Sequence, residues 1–333
     1  MLYAYQLRAH ANARYQQSML TLSHRELRCM LQACDISAEV EQRFLGGAPF
    51  LCFEAPELTP MQRAFLQRLS GLYMTAALEG DLLRPLDRVQ TPAFLPQDMP
   101  EILKYKGKTN ADFTQLMINL ALAAGGQWQN LHPRIADPIC GKGTALYCAL
   151  IRGADAVGVD TDQKSLQEAS AFTQKWLQYH RIKHASARES RTLSGGRNAP
   201  VTRFSITDGK QAQGLILIRA DTRDTGSLLK KSPAHALVAD LPYGVQHAPR
   251  ENGRMDTLEG LIREALPAWR QALLPGCCAA IAFNTYTLKR DMLARAAAEA
   301  GFAAVSDPLY ADFSHWVEQA VNRDVLVIRN PQA

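Results

Sequence analysis

Short apolar segments and longer amphipathic segments alternate along the last two thirds of the chain. The apolar segments end in polar residues, and the stretches between them repeat apolar residues every three to four positions. This alternation of strand-like and helix-like patterns predicts an α/β fold with a doubly wound, mostly parallel sheet. One predicted strand ends just before Asp137, and the others cover 156–160, 214–221, 235–240 and 278–284. The predicted helices cover 113–124, 145–151, 165–179, 258–273 and 289–300. An antiparallel pair at 315–319 and 324–329 closes the predicted sheet.

The first 84 residues have a simpler pattern, in which three strand-like and two helix-like segments alternate. This β-α-β-α-β order predicts a small ferredoxin-like α+β accessory domain over 1–84. Its helices are predicted to begin at Ser23, a capping residue, and at Thr59-Pro60. Its strands are predicted at 2–7, 48–53 and 81–84.

Four prolines fall within residues 85–100, which predicts a stiff, extended linker. The remaining residues, 101–333, are then predicted to form one larger domain.

Composition limits the class of protein. The chain has 333 residues, of which 47% are hydrophobic and 21% are charged, as in ordinary globular proteins. It contains no run of about 18 apolar residues and no signal-peptide pattern at its start, so we predict a cytoplasmic protein without a membrane span. Its seven cysteines form no C-x-x-C pair. They are interpreted as reduced thiols, and no metal site is predicted.

The net charge is only +5, but basic residues concentrate in a predicted insertion at 180–213. From Arg181 to Lys210 there are seven basic residues and two acids. This composition fits a contact with a polyanion, and it also fits a solvated loop. The candidate polyanion contacts in this insertion and in the loop before the helix at 113–124 are Lys104, Lys106, Lys108, Arg181, Lys183, Arg188, Arg191 and Arg197.

Residues 136–144 form a glycine-containing turn between a predicted strand and a predicted helix. Gly141 and Gly143 let a ligand approach the backbone, and the helix start directs free N–H groups at the same place. The next strand ends at Asp160, seventeen residues after Gly143, as in a nucleoside-binding β-α-β unit. Asp137 opens the turn and disfavours a pyrophosphate, but it suits a cationic or amino-acid-bearing ligand. Neither G-x-G-x-x-G nor a P-loop occurs.

Two further acids end predicted strands on the same side of the sheet. Asp160 is assigned to ribose hydroxyls and Asp221 to an exocyclic amine of adenine, because ligands of doubly wound sheets bind at the carboxyl ends of the strands. The adjoining Thr161 and Thr222 are assigned to the same cofactor site. Each acid, taken alone, also fits a helix cap or a turn.

A second strand end, Asp240-Leu241-Pro242-Tyr243, suits a planar substrate that bears an amine. Asp240 and the Leu241 carbonyl are assigned to accept hydrogen bonds from the amine. Tyr243 is assigned to stack on the ring, and Pro242 fixes the turn.

These two segments resemble the class I S-adenosylmethionine (SAM)-dependent methyltransferases of the amino-methylating group. Residues 137–144, D-P-I-C-G-K-G-T, are similar to that group's D-P-F-C-G-S-G-T cofactor turn, and Asp240–Tyr243 is similar to its [DN]-P-P-[YF] motif. The variant D-L-P-Y-G, with the segments 106–110, 315–318 and 323–324, most resembles the tRNA guanosine-N2 methyltransferases, including the THUMP-associated branch. The resemblance covers about residues 100–330.

The resemblance implies a Rossmann-like, seven-stranded methyltransferase sheet with an antiparallel last strand, SAM as cofactor, and the exocyclic N2 of a tRNA guanosine as substrate. It also implies that one set of residues holds the methionine part of SAM, with Asp137 near its amino group: Asp137, Pro138, Cys140, Gly141, Gly143 and Thr144.

Leu241 departs from the general motif and disfavours a DNA adenine enzyme, and 84 residues are too few for a complete THUMP arrangement. Three alternatives stay open: N6-adenine methylation of DNA or rRNA, a non-catalytic RNA-binding module, and a methyltransferase for small molecules or protein amides.

Overall fold

The structure is a computed structural model that describes residues 1–10, 13–105, 108–242, 250–251, 254–255 and 257–332. Two predicted site residues, Lys106 and Tyr243, lie outside these ranges. All seven cysteines are buried and free. Among the described residues, no helix combines the length and the apolar character needed to cross a membrane.

The N-terminal part contains a five-stranded antiparallel sheet and two helices. The strands lie in the order β2-β3-β1-β4-β5, so that the first four form a β-α-β-β-α-β arrangement. The elements are β1 (Leu2–Leu7), α1 (Ala13–Ala33), β2 (Val40–Leu45), β3 (Ala48–Glu54), α2 (Pro60–Leu66), β4 (Leu72–Glu79) and β5 (Leu82–Leu86).

Three of the N-terminal predictions need correction. Strands β2 and β4 were not predicted; β2 is an exposed edge strand whose polar residues hide its pattern. The first helix begins at Ala13, and Ser23 lies inside it, where its hydroxyl donates to the Ser70 carbonyl. The second helix was predicted to carry apolar residues as far as Leu72, but it ends at Leu66, and Gly71, with a positive φ of 68°, lies in the turn into β4. Its predicted start is confirmed by the capping box that Thr59 forms with Gln62.

The remaining chain forms an α/β layer structure around one ten-stranded mixed sheet. Its elements are α3 (Met99–Ile102), α4 (Ala111–Ala124), β6 (Arg134–Asp137), α5 (Thr144–Ile151), β7 (Asp155–Asp160), α6 (Gln163–Tyr179), β8 (Lys183–Thr192), β9 (Asn198–Thr207), β10 (Ala212–Arg219), α7 (Thr225–Leu229), β11 (Ala234–Asp240), β12 (Arg250–Glu251), β13 (Arg254–Met255), α8 (Leu258–Ala272), β14 (Leu273–Asn284), α9 (Arg290–Glu299), β15 (Ala303–Ala304), β16 (His315–Glu318) and β17 (Val321–Arg329). The predicted α/β class is confirmed, and the predicted helices correspond to α4, α5, α6, α8 and α9.

Strand order in the large sheet is β15-β17-β14-β11-β6-β7-β10-β9-β8, with β16 also paired to β17. The strands β10, β7, β6, β11 and β14 run parallel to one another, and β17 runs antiparallel to β14. The carboxyl ends of β6 and β11 are therefore adjacent at the point where the chain reverses direction through the sheet.

The basic insertion is not a loop over most of its length. Strands β8 and β9 form an antiparallel hairpin whose second strand pairs with β10, so the sheet extends beyond the seven strands expected from the resemblance. Backbone pairing determined this outcome, because β8 is exposed along nearly all of its length and shows little apolar alternation.

A buried polar network joins the N-terminal helix α1 to helix α4. The Asn119 side-chain amide donates to Glu26 Oε1 (2.6 Å) and to the Arg68 carbonyl (2.7 Å), and its oxygen accepts from Arg152 (2.8 Å). Burial raises the pKa of Glu26 to about 7, although hydrogen bonds from Asn119 and Ser70 lower it. Because the network is buried, each group in it needs its partners.

Asn119→Ala is expected to lower the free energy of unfolding by about 3 kcal/mol, because it leaves a buried carboxyl and a buried guanidinium without a shared partner. Urea denaturation of the full chain measures this effect. Asn198→Ala, at an exposed position of β9, is the control and should change the free energy of unfolding by less than about 0.5 kcal/mol. Equal denaturation midpoints for the two variants would contradict a structural role for the network.

Candidate active site

A cavity of about 650 Å³ opens at the carboxyl ends of β6 and β11. It lies where ligands of doubly wound sheets bind. Both segments that carry the predicted chemistry reach it. The predicted site residues that line it are Asp137, Cys140, Gly141, Thr144, Asp240, Leu241 and Pro242.

The turn after β6 is held by backbone hydrogen bonds at both of its ends. Cys140 N–H donates to the Val159 carbonyl (3.0 Å), and Gly143 N–H donates to the Cys140 carbonyl (2.8 Å). Gly141 and Gly143 have positive φ values of 50° and 91°, which favour glycine. A Cβ atom on Gly141 would meet no atom within 4 Å, so the turn leaves open space beside its backbone.

Gly158, in the middle of β7, packs beside the glycine turn and was not among the predicted site residues. A Cβ atom there would come within 2.6 Å of Cys140 Sγ and 2.5 Å of Leu146 Cδ1. The glycine therefore lets the turn and helix α5 pack directly on β7. A glycine inside an apolar strand was the available signal, because it often marks a close approach of another part of the chain.

Asp160 does not line the cavity, but its carboxylate stabilises the glycine turn through a hydrogen bond. Its Oδ2 accepts from Gly141 N–H (2.7 Å), and its Oδ1 accepts from Asp162 N–H (2.8 Å). Burial raises the pKa of Asp160, although these two N–H groups lower it. Each carboxylate oxygen can accept more than one hydrogen bond, so Asp160 keeps acceptor capacity for a ligand hydroxyl.

Asp137 is the most perturbed acid of the cavity. Burial raises its pKa to about 8, and the nearby charges of Asp160 and Asp240 raise it further, while a hydrogen bond from Ile139 N–H (3.0 Å) lowers it. Three carboxyl groups thus meet at the ends of three adjacent strands, β6, β7 and β11. A ligand that carries positive charge would relieve their mutual repulsion.

Asp240 ends β11 at the opposite wall of the cavity. The Thr109 hydroxyl donates to its carboxylate, and an Arg323 nitrogen lies 4.0 Å from the same oxygen. The following residue continues the sheet, since Leu241 N–H donates to the Ala282 carbonyl (2.9 Å) and its side chain is buried. Asp240 is therefore held in one orientation at the rim, where it can accept hydrogen bonds from a substrate amine.

The resemblance had drawn attention to the segments that contain Thr109 and Arg323, but it gave these residues no role. Thr109 stands just before Asn110, which caps α4 by accepting from two backbone N–H groups. Arg323 lies in β17, with its guanidinium 4.5 Å from the centre of the Phe113 ring. Long-range packing of α4 and β17 brings both to Asp240, so no local pattern could have indicated them.

Tyr105 is a further cavity residue that was not predicted. Its hydroxyl lies 3.0 Å from Thr144 Oγ1, and the Lys142 ammonium lies 4.8 Å from its ring centre. Burial raises the pKa of Tyr105, so its hydroxyl is neutral at physiological pH. Tyr105 thereby places an aromatic face next to the glycine turn.

Six predicted cofactor residues are placed differently. Asp221 is engaged by Arg223, whose Nε lies 2.9 Å from Asp221 Oδ1 and whose Nη2 lies 2.9 Å from Oδ2. The Thr222 hydroxyl accepts from Trp269 Nε1 (2.8 Å) and is buried. The predicted cofactor residues that do not line the cavity are Pro138, Gly143, Asp160, Thr161, Asp221 and Thr222.

The predicted RNA contacts differ in their exposure and in their contacts within the protein. Of those that the structure describes, Lys104, Arg181, Lys183, Arg188 and Arg197 are exposed, although Arg197 also forms an ion pair. Three are engaged within the protein: Lys108 donates to the Pro100 carbonyl, Arg191 donates to the Leu228 carbonyl (2.7 Å), and Arg197 pairs with Asp224 (2.8 Å). The structure therefore leaves a smaller basic surface than the sequence suggested. No group of three or more potential metal ligands occurs in the described ranges.

No family model matches the chain, and no curated protein matches it. Solved structures are similar to it at low identity. TrmN from Thermus thermophilus is 20% identical, with a TM-score of 0.42, over 88% of this chain and 59% of that chain. The magnesium protoporphyrin IX methyltransferase ChlM from Synechocystis PCC 6803, with bound SAM, is 14% identical, with a TM-score of 0.38, over 68% and 87%.

An rRNA methylase from Streptococcus thermophilus is also similar, with 14% identity and a TM-score of 0.33, over 61% of this chain and 89% of that chain. The chain therefore spans 59% of the length of TrmN and most of the length of the other two. At these identities the similarity concerns the fold, and it assigns no activity, substrate or partner to this chain.

Proposed function

We propose that this protein is a SAM-dependent N-methyltransferase. The observation that carries the proposal is that one cavity contains both an acid-opened glycine turn and the Asp240-Leu241-Pro242 strand end. The first suits a ligand with a positively charged amino-acid part, and the second suits an aromatic amine. In this proposal the strands β10, β7, β6, β11, β14, β17 and β15 are the Rossmann-like methyltransferase sheet, and the β8–β9 hairpin is an addition to it.

The cofactor would lie along the glycine turn, because the polar groups there match its ammonium, its carboxylate and its ribose hydroxyls. The Asp137 carboxylate would accept from the ammonium of the methionine part, and Thr144 would bind its carboxylate end. Asp160, beside the turn, would accept from a ribose hydroxyl. Because Asp221 is paired with Arg223, we assign contact with the adenine to the backbone near the end of β10 rather than to the Asp221 carboxylate.

When bound, SAM would supply a methyl group attached to a sulfonium sulfur; the amine lone pair forms the new C–N bond, and the sulfur keeps the electron pair of the broken C–S bond. The protein's task is to hold the substrate nitrogen in line with that bond. The Asp240 carboxylate and the Leu241 carbonyl would accept hydrogen bonds from the two N–H groups of the amine, and this would keep the nitrogen lone pair directed at the methyl carbon. The same acceptors stabilise the positive charge that develops on nitrogen, and the proton then passes to solvent.

The proposed substrate is RNA, with the exocyclic N2 of a guanosine in tRNA as the methylated position. The exposed cations of the β8–β9 hairpin and Lys104 would bind the phosphate backbone, with an affinity that falls with salt. Residues 1–84 would act as the accessory domain and 85–100 as the linker, although β5 continues to Leu86 and α3 begins at Met99. Tyr243, outside the described residues, keeps its predicted role as a stacking surface for a flipped base.

Transfer of labelled methyl groups from SAM tests the substrate assignment. We expect label in tRNA, and N2-methylguanosine after digestion and mass spectrometry, with at least tenfold less label in rRNA and duplex DNA. N6-methyladenosine as the product would instead establish the adenine alternative. If none of the three nucleic acids accepted label although SAM bound, the RNA assignment would be wrong.

The affinity for SAM is expected to depend on the ionisation of Asp137. Its pKa of about 8 in the free protein lies far above the usual value of about 3.9, so at pH 7 the carboxyl is protonated. A cation beside it favours the carboxylate, so binding releases a proton, and affinity rises by up to about tenfold per pH unit below pH 8. Without ligand the sign is opposite: the folded state binds the extra proton, and its stability falls as pH rises from about 4 to 8.

Calorimetry with SAM between pH 6 and pH 9 measures this dependence, and Asp137→Asn is the matched control. Asparagine resembles the protonated carboxyl, so the variant shows only the ligand's own ionisation. The ratio of wild-type to variant affinity should rise from near one at pH 6 and level off above pH 8. A ratio that does not change with pH would show that Asp137 does not contact the ligand's charge.

A further inference from the structure

A second cavity, of about 590 Å³, lies between the N-terminal sheet and helix α4. It is distinct from the candidate active site and shares no lining residue with it. Four arginines and two carboxylic acids line it, together with several amide and hydroxyl side chains. Its charged residues are Arg8, Arg68, Arg88, Glu101, Asp112 and Arg152.

The charges of this cavity are not balanced. Arg8 forms an ion pair with Asp112. In the described part of the chain, by contrast, no carboxylate lies within 4.0 Å of the guanidinium of Arg68, Arg88 or Arg152. Arg152 is only 5% exposed, and its hydrogen bonds go to the amide oxygens of Asn119 (2.8 Å) and Gln115 (3.5 Å).

The three unbalanced arginines also repel one another. Burial lowers the pKa of Arg68 to about 10, and the charge of Arg88 lowers it further. Burial and the charge of Arg68 hold the pKa of Arg152 well below its usual range, with Glu26 acting in the opposite direction. Arg152 is buried, Arg68 is half-buried and Arg88 is exposed. Withdrawing a cation from water without an anionic partner is costly, so Arg152 and Arg68, with Arg88 at the edge of the same open cavity, indicate a site for an anion.

We propose that this cavity binds a phosphate group. Guanidinium groups recognise phosphate through paired, charge-assisted hydrogen bonds, and Arg68, Arg88 and Arg152 offer such donors from three separate segments. Neutral polar side chains complete the lining, among them Gln90 and Thr91. The cavity is large enough for a diphosphate, and exposed Arg88 stands at its edge.

Helix α4 separates the phosphate cavity from the candidate active site. Asp112 and Gln115 face the phosphate cavity, whereas Thr114 and Met117 face the active site. A bound phosphate would therefore lie about one helix diameter, roughly 10 Å, from the active-site wall. This distance permits two sources of the phosphate: a nucleic-acid backbone that also reaches the active site, or a free phosphate or diphosphate.

Calorimetry of the full chain with inorganic pyrophosphate at low ionic strength tests the proposal. Wild type is expected to bind, and Arg68→Gln combined with Arg88→Gln should weaken binding at least tenfold. Arg88→Gln alone should weaken pyrophosphate binding about threefold. Because the Arg88 side chain is exposed, this single variant is expected to fold normally, so its weaker binding would not reflect misfolding. Arg84→Gln is the matched control: it removes an exposed arginine that pairs with Glu79 outside the cavity, and binding should be unchanged.

No binding of pyrophosphate by wild type, or an equal loss in the Arg84→Gln control, overturns the proposal. A competition measurement then separates the two sources. Displacement of pyrophosphate by a six-nucleotide oligouridylate supports the nucleic-acid backbone, and undisturbed pyrophosphate binding supports a free phosphate or diphosphate and overturns the backbone source. Neither measurement uses methyl transfer as its readout, so a failure here is distinguishable from a failure of the proposed methyltransferase activity.

Discussion

Asp240→Ala is expected to lower the rate of methyl transfer by about 1,000-fold while the affinity for SAM changes by less than about threefold. The carboxylate lies at the rim of the cavity, where the Thr109 hydroxyl orients it, and the proposed mechanism uses it only on the amine side. The alanine variant loses the acceptor that stabilises positive charge on nitrogen. Single-turnover kinetics on the tRNA substrate, with calorimetry for SAM, measure the two quantities separately.

Asp208→Ala is the control for that experiment. Asp208 is an exposed acid in the turn between β9 and β10, remote from the cavity lining, so its removal changes net charge equally without touching the site. Turnover of this variant should stay within twofold of wild type. If Asp240→Ala turned over its substrate as fast as this control, Asp240 would have no part in the chemistry.

Asp160→Ala is expected to weaken SAM binding by about 50-fold, equivalent to about 2.3 kcal/mol. Two losses add in this variant. The ribose hydroxyl loses its proposed acceptor, and Gly141 N–H loses the carboxylate that holds the glycine turn in its binding conformation. Calorimetry with SAM measures the affinity, and circular dichroism shows that the sheet stays folded.

The neighbouring acid offers a matched control for Asp160. Asp162→Ala removes an exposed carboxylate that caps α6 through Lys164 and Ser165 N–H groups, so it should cost about 1 kcal/mol of stability. Its affinity for SAM should remain within twofold of wild type. Undiminished affinity in Asp160→Ala would remove this residue from the cofactor site.

The glycine turn is the part of the candidate site that local sequence predicts well. Gly141, Gly143 and the strand-ending Asp137 were predicted together because turn chemistry and strand ends are local properties of the chain. Their meeting with Asp240 followed from one topological rule, since parallel strands present their carboxyl ends at the same edge. The structure brings Asp137 and Asp240 into one cavity for this reason.

Asp221 and the basic insertion show where such reasoning ends. An acid at a strand end is available to a ligand only if no cation of the protein reaches it, and Arg223 does reach Asp221. A run of basic residues was interpreted from its composition, but the pairing of β9 with β10 made it part of the sheet. The ion pair with Arg223 and the pairing of β9 with β10 therefore decided the two outcomes, and neither contact is part of the strand-end or charge pattern from which the prediction was made.

The α/β class, the glycine turn, the acids at the strand ends and the resemblance to amino-methylating enzymes all follow from the amino-acid sequence alone. Those features depend on periodicity and on residues a few positions apart, which a linear reading contains. Three other arrangements became visible only in the folded chain: Thr109 orients Asp240, Gly158 leaves space for the glycine turn, and Arg68, Arg88 and Arg152 line a second cavity. These arrangements depend on packing between segments far apart in the chain, where geometry and desolvation, rather than residue type, set what each side chain can do.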